Sequence, residues 1–268
     1  MNIVLAHGIL GFSRVAGVDY FRGVAHHFRQ QGHRVLAPTL DPTQGIAYRG
    51  AQLRDQISAA LNSGALDAAQ LTHVVAHSMG GLDSRWMLSP ANPGRIGVRI
   101  RSLTTIGTPH RGTTVADLLD HPADLAPFPQ LPFGDAHTLF EEALNKLGIS
   151  LVGLRDLTTQ YCQQVFNPTY HDSPDVAYYS VAGCGRTRFP PTSASLLLFH
   201  HYIAARTGDA NDGLVAAASA HWGTFDPNPW AADHTEEVGY SLDNLLIPPD
   251  FPYLDQYDRL LANVAHLA

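Results

Sequence analysis

The stretch "HVVAHSMGGLDSR" (His73–Arg85) sets one serine between an apolar run and a pair of glycines. A hydroxyl in such a place can do chemistry. Where a strand turns sharply into a helix, the residue at the turn is lifted above the strand end and meets the N–H groups of the first helical turn, which favour developing negative charge. Strand and helix then pass so close that the residues two before and two after the serine must be small. Here they are Ala76 and Gly80, one methyl group away from the usual Gly-x-Ser-x-Gly. Ser78 is therefore a candidate nucleophile and the N–H of Met79 a candidate oxyanion donor. On this motif alone, a serine in an ordinary strand-to-helix turn would read the same way.

A second oxyanion donor has to come from the loop after a neighbouring strand. "NIVLA" runs into "HGILGF", where Gly8 permits close approach and Ile9 can present its N–H, while His7 reads as a core-facing residue. A serine hydroxyl near neutral pH also needs a base within hydrogen-bond reach, and that base needs a carboxylate to fix its tautomer. Fifteen histidines make composition useless for choosing one. The chain order serine, acid, histidine used with such turns restricts the search to positions after Ser78. Asp212 in "ANDGLV" and His234 in "DHTEEVG" satisfy that order, with Asp209, Asp226 and Asp233 as competing acids and His200, His201 and His221 as competing bases. An aspartate before glycine is more often a turn former than a catalyst, so spacing leaves this pair open.

These residues need a scaffold. Continuous apolar runs at 2–6, 34–40, 72–77, 101–107 and 176–183 read as strands buried on both faces. Between them, 19–32 carries Tyr20, Phe21, Val24, Ala25 and Phe28 at helical spacing, with Asp19 as candidate N-cap and Gly32 as stop. Residues 51–62 stripe Leu53, Ile57 and Leu61, and a short helix follows Ser78 to about Leu88. Alternation of this kind implies βαβ crossovers and a mostly parallel, doubly wound α/β sheet in one domain over 1–268. The alternation lapses over about 120–154, which holds four prolines and then "HTLFEEALNKLGISLVGL"; this reads as a helical lid or cap insertion. "PYLDQYDRLLANVAHL" closes the chain as an amphipathic helix.

Composition narrows the function. Apolar residues are 45% and charged residues 15%, which favours a packed globule. Asp and Glu outnumber Lys and Arg by 24 to 17, and the basic residues are scattered, so no nucleic-acid partner is expected. Ile3–Phe12 is too short to span a bilayer and has no basic region before it, so the expected location is the cytoplasm, or that of a mature form relieved of its targeting segment. Two cysteines, Cys162 and Cys184, allow at most one bridge and are equally compatible with free thiols.

Taken together, "IVLAHGILGF", "GVDYF" (Gly17–Phe21), "RGAQL" (Arg49–Leu53), "HSMGG", "GTPHRGT" (Gly107–Thr113), "YYSVAG", "NDGLV" and the histidine loop resemble, in order, the bacterial true lipases of the Pseudomonas and Burkholderia triacylglycerol lipase type. The resemblance implies an α/β-hydrolase fold, Ser78 as nucleophile, Asp212 as acid, His234 as base, Ile9 and Met79 as oxyanion donors, and His110 as structural. It implies cleavage of carboxylic esters of lipids through an acyl-enzyme, with a lid that contacts a lipid interface. A short-chain carboxylesterase, a polyester hydrolase or an acyltransferase would share that triad, and a non-catalytic binding module would share the fold. Two departures stand out. The family's second bridging cysteine just after "NDGLV" is replaced within "AAASA", so that bridge is not expected. The family's structural calcium draws on positions matching Glu236 and Tyr240, where an Asp and a Gln are usual, so no cofactor is expected and an obligatory calcium is not.

Overall fold

The computed structural model describes residues 1–9, 19–92, 94, 99–121, 124 and 151–267. Six strands, β1 (Asn2–Ala6), β2 (Arg34–Leu36), β3 (Thr72–His77), β4 (Ile100–Ile106), β5 (Ala177–Val181) and β6 (Thr224–Phe225), lie parallel in the order β2-β1-β3-β4-β5-β6. The order reverses between β1 and β3, and at such a switch point the loops leaving the two strands diverge and open a crevice at their carboxyl ends. Ser78 follows β3 and Ile9 follows β1, so both emerge there.

Side-chain alternation decides which helix covers which face. Ile3 and Leu5 of β1 and Val75 of β3 point into a core shared with helix α1 (Val24–Gln30) and the closing helix Tyr253–Val264, through Val24, Phe28, Tyr257, Leu260 and Val264. Val4, Ala6, Val74 and Ala76 point to the other face, onto helices α2 (Ile46–Ser63) and α3 (Met79–Leu88), through Leu53, Ile57, Met87 and Leu88. Every residue of β1 and β3 is buried, as expected for strands with helices on both sides.

Several expectations need correction. α1 is shorter than 19–32, and its N-cap is Gly23, at φ 70°, rather than Asp19. β2 stops at Leu36 instead of running to Leu40, because the N–H groups of Thr39 and Leu40 donate to Gln56 Oε1 and His7 Nε2 instead of to a strand. α2 starts at Ile46, five residues early; its first N–H donates to Asp156 Oδ2 at 2.7 Å, a cap supplied 110 residues away. The helix Leu197–Thr207 and the two-residue β6 carried too little periodicity to be anticipated. Of the lid expected over about 120–154, all but 120, 121, 124 and 151–154 lies outside the described residues. No described helix is long and apolar enough to cross a membrane.

Candidate active site

Ser78 sits at φ 55° and ψ −134°, the one non-glycine residue with positive φ among those described. Positive φ brings the Cβ of an L-residue against its own backbone, so the conformation is costly and persists only where the surroundings hold it. Three hydrogen bonds do so: the Ser78 N–H donates to Ile106 O at 2.9 Å, and the Ser78 carbonyl accepts from Thr108 Oγ1 at 2.8 Å and from the Gly81 N–H at 3.1 Å. Gly80 is required sterically, since a Cβ there would lie 2.3 Å from Ala6 O. Met79 heads α3 fully buried, and its N–H is among the first four of a helix that have no intrahelical acceptor.

The loop after β1 passes directly over the serine: a Cβ on Gly8 would come within 2.6 Å of Ser78 Cβ. Buried Arg49, from α2, fixes this loop. Its Nη2 donates to His7 O at 2.7 Å and Gly8 O at 3.2 Å while its Nε donates to Asp83 Oδ2 at 2.9 Å. His7 adds a second tie, its Nδ1–H donating to Gly8 O at 2.8 Å and its Nε2 accepting the Leu40 N–H at 2.9 Å, which specifies one neutral tautomer. Burial, then the Arg49 charge, lower the His7 imidazole to about 4. His7 is thus a loop fastener as well as a core residue.

His234 lies against Ser78. The serine hydroxyl donates to His234 Nε2 at 2.9 Å, and His234 Nδ1–H donates to Asp212 Oδ2 at 2.7 Å. The backbone repeats the link, the His234 N–H donating to Asp212 O at 2.9 Å. Asp212 is held by its own turn, in which the N–H groups of Leu214 and Val215 donate to Oδ1 at 2.8 and 2.7 Å. Ser78, Asp212 and His234 are all buried. Ser78 meets His234, not His200, His201 or His221; the ring of His221 stacks on Phe225. Asp226 is turned to the N–H of Asn228, and Asp233, though beside the imidazole in sequence, accepts from Ser193, Thr235 and Glu236. His110 bonds Thr105 Oγ1 and stacks on Trp222. Ile9, Val115, Leu154, Leu157, Leu214 and Val215 line the cavity that reaches Ser78 and His234.

Sequence reasoning missed a polar chain beneath this group. Tyr20 OH donates to His77 Nδ1 at 2.7 Å, and His77 Nε2–H donates to Glu237 Oε2 at 2.9 Å, 3.8 Å from His234 Nδ1. Burial, then the charge of Asp212, hold the Glu237 carboxyl well above the carboxylate range, and burial keeps the His77 imidazole neutral. The only hint was Glu237 three residues after His234. One potential ligand atom each from His77, His234 and Glu237 lies within 4.8 Å of the others, but these atoms are already hydrogen-bonded inside the cluster.

The calcium position implied at Glu236 and Tyr240 does not fit the residues present. Glu236 Oε1 accepts from Arg186 Nε at 2.7 Å and Oε2 from the Asp233 N–H at 3.2 Å, while Tyr240 OH donates to Asp19 O. Calcium takes six to eight oxygens, whereas both Glu236 oxygens already accept hydrogen bonds here, one of them from a guanidinium. Cys162 and Cys184 are free thiols, and burial pushes Cys162 up to about 12.

No family model matches the chain. A triacylglycerol lipase of Vibrio cholerae is 27% identical over 88% of this chain and 78% of its own length. A triacylglycerol lipase of Pseudomonas fragi is 25% identical over 89% of this chain and 87% of its own. A metagenomic carboxyl esterase superposes with a TM-score of 0.74 at 20% identity, covering 99% of this chain and 76% of that one. The last likeness, with the parallel six-stranded sheet, establishes the α/β-hydrolase fold.

Proposed function

We propose that this chain, an α/β hydrolase related to the bacterial triacylglycerol lipases, cleaves carboxylic esters of lipids through an acyl-enzyme on Ser78. The observation that carries the reading is the hydrogen-bonded series Ser78–His234–Asp212, at 2.9 and 2.7 Å, opening onto an apolar wall. Ser78 Oγ attacks the ester carbonyl as its proton passes to His234 Nε2. Asp212 keeps Nδ1 protonated and stabilises the imidazolium that forms. The carbonyl oxygen becomes an oxyanion facing the N–H groups of Ile9 and Met79. His234 then gives its proton to the departing alcohol, and water repeats the sequence to release the acid.

The apolar wall favours an acyl chain over a polar acyl group, since each buried CH2 contributes about 0.8 kcal/mol. Leu154, at the end of the segment read as a lid, and Leu157 just beyond it are buried against the same cavity, which supports a lid that reaches the acyl site. The test combines two measurements. A fluorophosphonate with a long alkyl chain should label Ser78, located by mass spectrometry, and Ser78→Ala should lower hydrolysis on the order of a million-fold. Across p-nitrophenyl esters, rates should rise with chain length and with emulsified substrate. Preference for short soluble esters would replace the lipase by a carboxylesterase, and label at another residue would remove the triad assignment.

A further inference from the structure

The loop carrying His234 is dense in acid. Asp233 precedes the imidazole, Glu236 follows two residues later, and Asp243 returns to the same place. One cation meets all three: Arg186, whose side chain is 4% exposed. Its Nε donates to Glu236 Oε1 at 2.7 Å, its Nη1 to Asp243 Oδ2 at 2.8 Å, and its Nη2 to Ser193 Oγ at 2.8 Å and Ser241 Oγ at 3.0 Å, with Asp233 Oδ2 at 3.2 Å. Asp233 passes the constraint on. Its Oδ1 accepts the N–H groups of Thr235 and Glu236, and its Oδ2 accepts the Ser193 N–H. The backbone on both sides of His234 is thereby tied to one guanidinium.

We propose that Arg186 is the positioning residue for His234, a cation built into the chain that does at this loop what a bound divalent ion would otherwise do, so that the protein needs no calcium. The proposal rests on His234 as the base of an ester hydrolase. Three carboxylates this close repel one another, and without a cation the loop spreads; a displacement of about 1 Å at a reacting group lowers turnover on the order of 100-fold. Arginine suits the task because its planar fork sends N–H groups to several acceptors at once, whereas a lysine ammonium is a compact point charge. Removing the guanidinium takes a donor from the five oxygens it contacts, three of them carboxylate oxygens, and these are the ligand type that calcium takes.

The experiment compares wild type, Arg186→Lys and Arg186→Ala after treatment with EDTA and after addition of millimolar calcium chloride. Wild-type kcat and melting temperature should not respond to either. Arg186→Ala should lose kcat on the order of 100-fold with KM little changed, and calcium or guanidinium ion should restore part of the kcat and raise the melting temperature. Arg186→Lys should lie between. Wild-type activity or melting temperature that falls in EDTA and returns with calcium overturns the proposal, as does a folded Arg186→Ala with wild-type kcat. If Arg186→Ala fails to fold, Arg186→Lys decides: lowered kcat at constant KM supports the proposal and unchanged kcat overturns it. Melting needs no ester turnover, so failure of the hydrolase reading shows separately, as wild-type Ser78 that takes no fluorophosphonate, while Arg186 is still judged by its response to EDTA and calcium.

Discussion

His7 shows how one side chain can make the candidate site sensitive to acid. In the folded chain its imidazole is neutral and accepts the Leu40 N–H, and its value is lowered from 6.5 to about 4. The unfolded chain therefore binds more protons between those two values, and stability rises with pH across that interval. The contribution is complete above about pH 6.5, declines as pH falls, and is gone below about pH 4; its size is about 3 kcal/mol. Urea midpoints measured from pH 8 down to 4 should fall accordingly. In His7→Gln, whose amide can serve the same two partners without titrating, the drop over this window should shrink by about that amount. An identical profile in the two proteins would show that His7 is not the group responsible.

The turn between β3 and α3 is where an element, not a residue, sets the chemistry. Ser78 reaches its partners because α3 packs against the end of β1, and only a glycine at position 80 lets it, with Ala6 O 2.3 Å and His7 O 2.8 Å from where a Cβ would stand. Both obstacles are backbone, so they yield only if strand and helix part. Gly80→Ala should destabilise by about 1–3 kcal/mol in urea unfolding and lower kcat as well, since the parting moves Met79 N–H and Ser78 together. Ala76→Gly, which restores the usual spacing on the strand side, should cost only about 0.5–1 kcal/mol, from the added freedom of the unfolded chain. The two small residues were visible in the sequence; that one is indispensable and the other merely tolerated is a matter of how near β1 lies.

Across the whole molecule, the closing helix ties the end of the chain to its beginning and to the ground beneath the site. Tyr257 is fully buried, its ring centroid 6.1 Å from that of Phe21, 6.2 Å from Phe28 and 5.8 Å from Trp230, and its hydroxyl donates to Glu237 O at 3.2 Å. Tyr257→Ala should cost about 3–5 kcal/mol of unfolding free energy, because the ring leaves a cavity among aromatic neighbours that cannot close over it. Tyr257→Phe removes the hydrogen bond alone and should cost about 1 kcal/mol. Urea unfolding of the pair separates the packing of the ring from its hold on the histidine loop.

By itself the sequence determined what depends on near neighbours along the chain. The buried strands were legible in their apolar runs, the serine turn in Ala76, Ser78 and Gly80, and the glycine loop after β1 in Gly8 and Ile9, because strand burial and turn sterics act over a few residues. Contacts across long separations were not legible. Residue spacing left Asp212 and His234 among several acids and histidines, and motif resemblance alone preferred them; the hydrogen bond from Ser78 to His234 spans 156 residues. Arg49 on the His7 and Gly8 carbonyls, Asp156 at the start of α2, and Arg186 among three carboxylates left no local sign at all. A charged side chain announces only that it needs a partner when buried, and which partner it finds is decided by the packing of the sheet and its two helical layers.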